Sequence, residues 1–110
     1  MDINFIERNG NLIVKIRGEI DHHTADKLRH AVESRYAGSG AKNIIFDFAH
    51  VGFMDSSGIG MIIGRYKEAQ KAGGRVFAIN IGAEIGRIFE ISGLKKIIPC
   101  FAGLDEIENQ

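Results

Sequence analysis

The order of segments along this sequence predicts an α/β protein: a mostly parallel sheet of four or five strands with an antiparallel N-terminal edge strand, flanked by helices. Three observations carry that reading. An Asn9-Gly10 pair separates two β-prone runs at the start of the chain, the strongest short-range signal of a hairpin. Amphipathic helical segments then alternate with short apolar runs. Breaks at Gly18, Gly38-Ser39-Gly40 and Gly73-Gly74 divide the units.

Taken in order, Ile3 to Arg8 and Leu12 to Arg17 form the hairpin, with Leu12, Val14 and Ile16 on one face and Lys15 and Arg17 on the other. That alternation suits a strand with one buried side. Beyond Asp21, the spacing of Ala25, Leu28, Val32 and Tyr36 at three and four residues predicts an amphipathic helix, which Asp21 or Thr24 can cap. Asn43 to Phe48 reads as a strand, followed by a loop from Ala49 to Asp55. A second helix runs from Ser56 or Ser57 to about Ala72, with Ile59, Ile62, Ile63, Tyr66 and Ala69 on its apolar stripe. Val76 to Ile79 is apolar throughout, as a strand covered on both faces should be, and Ala83 to Ile91 reads as a short helix. Ile97 to Phe101 is the last strand, placed at a sheet edge because Pro99 lacks a ladder donor. Leu104 to Asn109 has room for one or two helical turns.

The composition bounds what such a domain does. At 110 residues and 45% hydrophobic, residues 1–110 make one domain with a real core. Fourteen basic and fourteen acidic residues cancel, which argues against direct nucleic-acid binding through the phosphate backbone. The single cysteine, Cys100, excludes an internal disulfide and a cysteine-based zinc cluster. The start of the chain lacks the basic region of a signal peptide, and no apolar run is long enough to span a bilayer. These features predict a cytoplasmic protein without membrane insertion.

In a parallel sheet, the loops leaving the C-terminal strand ends gather on one rim, and sites usually lie there. Gly18 to His23, Ala49 to Gly58 and Asn80 to Ala83 are those loops. Within them, Asp55-Ser56-Ser57-Gly58-Ile59-Gly60 places two hydroxyls at a helix start and glycines in its first turns, with Gly64 one turn further on. Each helical glycine costs roughly 0.5–1 kcal/mol relative to alanine, so something else must gain by them. Close approach of a partner is the functional explanation, and close packing of the helix on its own sheet is the bland one, weightier for Gly64 than for Gly58 and Gly60. One serine suffices as N-cap, and a spare hydroxyl at a helix N-terminus is a suitable phosphoryl acceptor.

Enzyme readings are weaker. No Gly-x-Ser-x-Gly elbow surrounds Ser56, and Gly58-x-Gly60-x-x-x-Gly64 is one residue too long for a dinucleotide fingerprint. His22 and His23 are adjacent and point to different faces, a poor metal pair. No catalytic residue, metal ligand or cofactor is predicted.

The strings Asp21-His22-His23-Thr24-Ala25 and Phe53-Met54-Asp55-Ser56-Ser57-Gly58-Ile59-Gly60, followed by Gly64-Arg65-Tyr66-Lys67, resemble the STAS family, and within it the anti-sigma F factor antagonists. Gly18-Glu19-Ile20 and Ile91-Ser92-Gly93-Leu94 extend the agreement over nearly the whole chain. The resemblance implies the STAS fold, which matches the sheet read above, and the work of an anti-anti-sigma factor. Unphosphorylated, such a protein engages an anti-sigma F factor that is also a serine kinase (stage II sporulation protein AB type), releasing sigma F for sporulation transcription. Phosphorylation on the first serine after the Asp, here Ser56, switches it off, and a membrane-bound serine phosphatase (stage II sporulation protein E type) restores it. By the same resemblance Asp21, His22, Asp55, Ser56, Ser57, Gly58, Ile59 and Gly60 face the partner. Three alternatives remain: a general stress-response antagonist, a scaffold or transporter-attached domain with flanking domains, and a ligand- or nucleotide-binding module on the same rim. The phosphate is expected to act by bulk and like-charge repulsion rather than by refolding the domain, and Asp55 to orient the Ser56 hydroxyl.

Overall fold

The computed structural model describes residues 1–108. The hairpin opens it: β1 (Asp2–Arg8) and β2 (Asn11–Arg17) pair antiparallel, with Asp2 opposite Arg17 and Arg8 opposite Asn11. Asn9 and Gly10 both take positive φ, 52° and 79°, the backbone that a two-residue hairpin turn demands. Then follow α1 (Thr24–Ala37), β3 (Asn43–His50), α2 (Ser56–Lys71), β4 (Val76–Ile79) and α3 (Ala83–Ser92). A 3-10 turn (Leu94–Lys96), β5 (Cys100–Phe101) and α4 (Leu104–Glu108) complete the chain.

The five strands lie in sequence order, β1-β2-β3-β4-β5, and every pair after the first is parallel. Sequential order with one hand of crossover sends α1, α2 and α3 to the same face. The main core forms there, where Leu12, Val14, Phe46 and Phe48 of the sheet meet Leu28, Val32, Ile62 and Phe89 of the helices. The other face carries a second, smaller cluster of Ile13, Ile45, Phe77 and Ile79, roofed by Phe101, Leu104 and Ile107. Thus β2 buries residues on both faces near its start, where alternation predicted one buried side. The difference arises from α4, pinned across the sheet by Glu108, which accepts from Asn9 Nδ2 at 2.8 Å and pairs with Arg8 at 2.9 Å.

Other expectations shift locally. The last strand has only two residues, because Leu94–Lys96 turn as a 3-10 helix and leave little extended chain. Pro99 still takes part through its carbonyl, which accepts from the Ala78 N–H at 3.0 Å. Helix α2 buries Met61 and Arg65 as well as Ile62 and Ala69, while Ile59, Ile63 and Tyr66 are half-buried. It packs on the sheet and on α1 at once, so its covered sector is wider than one stripe. Leu104–Glu108 is helical as predicted, and Asn109 lies outside the described residues. Gly74 is fixed by crowding: a Cβ there would fall 1.8 Å from the Lys42 carbonyl oxygen.

Candidate functional site

The rim loops after β2 and β3 are laced together beyond the strands. The Gly18 N–H donates to the His50 carbonyl at 3.1 Å, the Ile20 N–H to Phe53 at 3.0 Å, and the Asp55 N–H to Ile20 at 3.1 Å. Ile20 and Met54 form an isolated parallel bridge, and both side chains are buried. The segment that begins α2 is therefore held on an extension of the sheet.

Asp55 completes this arrangement. It is the N-cap of α2: its Oδ1 accepts from the Ser57 N–H at 2.8 Å, while Oδ2 accepts from the His22 N–H at 3.1 Å. One carboxylate thus caps a helix and clips the neighbouring loop to it. The expectation that a serine supplies the cap is corrected, since the longer reach of Asp55 from an extended backbone (φ −100°, ψ −171°) puts its oxygens over the first turn. Both oxygens of Asp55 are engaged by backbone donors, and no hydrogen bond runs from Ser56 Oγ to Asp55 among the described residues. Ser56 is exposed.

The helix start also offers fewer donors than its position suggests. The Ser57 N–H is capped, and the Gly58 and Ile59 N–H groups both donate to the Asp55 carbonyl, at 3.1 and 3.2 Å. Of the first-turn donors, the Ser56 N–H alone lacks a partner among the described residues.

The three glycines part company. A Cβ on Gly58 would lie 2.3 Å from Met54 Cγ and 2.8 Å from Ile20 Cγ2, so this glycine serves the interior. It is buried in the chain by itself, whereas the resemblance puts it among the partner-facing residues. Gly60 and Gly64 meet nothing within 4 Å, so sheet packing does not explain Gly64 either. Gly60 borders a groove of about 510 Å³ between the starts of α1 and α2, lined by His22, Ala25, Asp26, Arg29, Ser57 and Met61 besides.

Of the remaining predicted residues, His22 is exposed, and Asp21, Ser57 and Ile59 are half-buried. The Asp21 Oδ1 accepts from the His23 N–H at 2.9 Å and the Thr24 N–H at 3.0 Å. The Thr24 backbone donor first, then His23, holds this carboxyl below its ordinary value. Asp21 thereby starts α1 and shapes the loop that presents His22. Sequence reasoning passed over Phe53, a residue 43% exposed two positions before Asp55. An aromatic side chain beside a polar site is a frequent interface anchor, and its position within the rim loop was the available signal. No group of three or more His, Cys, Asp or Glu suited to a metal occurs among the described residues. No helix among them is long and apolar enough to cross a membrane.

Residues 2–107 match the model of the STAS domain. An anti-sigma F factor antagonist from Paenibacillus polymyxa is 35% identical over 101 residues, covering 92% of this chain and 86% of that protein. An anti-sigma-B factor antagonist from Staphylococcus aureus (strain NCTC 8325 / PS 47) is 31% identical over 92 residues, 84% of each chain. Among solved structures, the phosphorylated form of the Bacillus cell fate determinant SpoIIAA superposes with a TM-score of 0.74 at 25% identity, covering 98% of both chains. With the family model matched over nearly all of its residues and a relative 35% identical over 92% of its length, the chain belongs to the STAS domain family.

Proposed function

We propose that this chain is an anti-sigma factor antagonist of the sigma F type, acting in the cytoplasm and switched off by phosphorylation of Ser56. The observation that carries the reading is an exposed serine beside an aspartate that takes over the capping duty, which leaves the Ser56 hydroxyl free for chemistry. The names of the relatives support the antagonist role, and the phosphorylated form of SpoIIAA supports the switch. The partner is a kinase-type anti-sigma F factor, and a serine phosphatase of the stage II sporulation protein E type resets the protein.

In the transfer, the Ser56 Oγ attacks the γ-phosphorus of ATP, the new O–P bond forms, the bridging P–O bond to ADP breaks, and the hydroxyl proton passes to a kinase base. This chain is the substrate. His22, Ser57 and Gly60 offer the exposed or half-exposed contact surface around Ser56, with Asp21, Asp55 and Ile59 shaping it. The added charge of about −1.5 to −2 sits at a first turn whose Ser57, Gly58 and Ile59 N–H groups are already bonded, which leaves most of its effect to fall on the partner. Reversing a bound population from 99:1 to 1:99 requires about 5.5 kcal/mol, more than the ~2–5 kcal/mol lost with one buried charged hydrogen bond. Bulk and like-charge repulsion must therefore act together.

The relatives of the sigma-B type favour a second reading, in which the same switch serves a stress-response partner. Titrating the unphosphorylated protein into each purified anti-sigma kinase by calorimetry separates the two. Tight binding to the sigma F type and weak binding to the sigma-B type is expected. The reverse order transfers the assignment to stress response, and binding to neither removes the antagonist role.

A further inference from the structure

The sheet face opposite Ser56 is roofed by α4 only over Ile13, Ile45, Phe77 and Ile79. Toward the C-terminal ends of β2 and β3 it opens into a hollow of about 180 Å³ lined by Asn4, Lys15, Ile16, Arg17, Asp47 and His50. Its construction begins with a bulge. Lys15 pairs with Asp47, yet Arg17 pairs with His50, so β3 spends three steps where β2 takes two. An extra residue re-aims the side chains that follow it, and here His50 joins Arg17 at the hollow. Asp47 sustains the bulge: its Oδ1 accepts from the Ala49 N–H at 3.0 Å and from Asn80 Nδ2 at 3.0 Å.

Two features of this hollow remain without an internal use. Neither Lys15 nor Arg17 has an ion-pair partner within 4.0 Å among the described residues, although Asp47 and Asp2 stand opposite them in register. Asp47 is only 9% exposed, and no hydrogen bond reaches its Oδ2 among the described residues. Two unpaired cations call for an anion. A carboxylate oxygen open to the hollow beside them repels any anion that cannot offer it a proton.

We infer that this hollow binds a hydrogen-phosphate group, as the free ion or as the end of a small phosphomonoester. Lys15, Arg17, His50 and Asn4 donate to the phosphate oxygens, and Asp47 Oδ2 accepts from the remaining P–OH. The same arrangement selects against sulfate, which carries no proton near neutral pH and would leave Asp47 unpaired against it. This site is separate from Ser56, and it stands whether or not the partner assigned above is correct.

The test is an amide-resolved NMR titration of the full chain near pH 6.5 with inorganic phosphate, glycerol phosphate and sulfate, each at matched ionic strength. Saturable shifts at residues 4, 15–17 and 47–50 with phosphate or its ester, and at least tenfold weaker response to sulfate, are expected. Response to both phosphates shows that the group itself is recognised, and response to the ester alone identifies the ester as ligand. The exposed pair Lys15→Ala/Arg17→Ala should abolish the response while leaving the rest of the spectrum unchanged. Asp47→Asn, which keeps an oxygen for Ala49 and Asn80, should bring sulfate and phosphate to similar affinity. Shifts confined to residues 55–59, equal response to sulfate in the parent protein, or saturation that survives the double variant would each overturn the inference.

Discussion

At the scale of single residues, the site is an allocation of polar groups. Asp55 takes the capping duty, Ser57 offers its N–H to that cap, and Ser56 is left exposed. Ser56→Ala should therefore bind the anti-sigma partner as the parent does and accept no phosphate, whereas Ser56→Asp should bind at least tenfold more weakly. Calorimetry on both variants checks this, and equal binding by the two would remove Ser56 from the switch. The glycines give a second contrast. Gly58→Ala forces a methyl into Met54 and Ile20 and should cost about 1–3 kcal/mol, while Gly60→Ala enters open space and should stabilise α2 by up to about 1 kcal/mol. Thermal melts of the two should move in opposite directions. Sequence alone could not assign these roles, because Gly58 and Gly60 stand two apart and look alike. Only the direction each Cα faces, set by the Ile20–Met54 bridge beneath Gly58, separates them.

At the scale of elements, the start of α1 and the start of α2 are built by two aspartates that the motif strings display. Asp21 should titrate below the usual carboxylate range, because backbone donors of Thr24 and His23 favour its ionised form. A group depressed in the folded state contributes its stability above its unfolded pKa and loses it as pH falls through the folded one. The first turn of α1 should accordingly loosen only in acid, below the ordinary Asp range, visible as broadening of the His23 and Thr24 amides. Asp55→Ala should cost about 0.5–2 kcal/mol through the lost cap and also release His22, whereas Asp55→Asn, with a single acceptor oxygen, should keep the cap and lose the His22 clip. A melt combined with exchange rates at the His22 amide distinguishes the two losses. Helix α1 was legible because Ala25, Leu28 and Val32 all face one way. The buried Arg65 was not, since its place depends on α1 lying alongside: its Nη1 approaches Glu33 Oε2 at 3.6 Å while its Nε has no partner among the described residues. Periodicity within one helix carries no signal of the neighbour that widens its buried sector.

At the scale of the whole molecule, the order of strands follows from short connections and a single crossover hand, and for that reason the parallel sheet and its rim were readable in the sequence. The two faces were less so. Three helices fall on one side, and the other depends on a five-residue helix whose Leu104 and Ile107 roof Ile13, Ile45, Phe77 and Ile79. Replacing Leu104 and Ile107 together by alanine should lower stability by about 2 kcal/mol, since each is half-buried, and should expose a patch that binds an apolar dye. Unchanged stability would mean that the roof is dispensable. With the sheet covered on both faces, exposed Phe53, His22 and Ser56 lie together at the rim, the surface to which the proposed function assigns the partner. The most direct test of that account mixes the protein with its own organism's kinase-type anti-sigma factor and Mg·ATP, maps phosphate by intact and peptide mass spectrometry, and follows the complex by size-exclusion chromatography. One phosphate on Ser56 with dissociation of the complex is the predicted result. An active kinase that leaves Ser56 unmodified, or a Ser56-phosphorylated protein that stays bound, would contradict it.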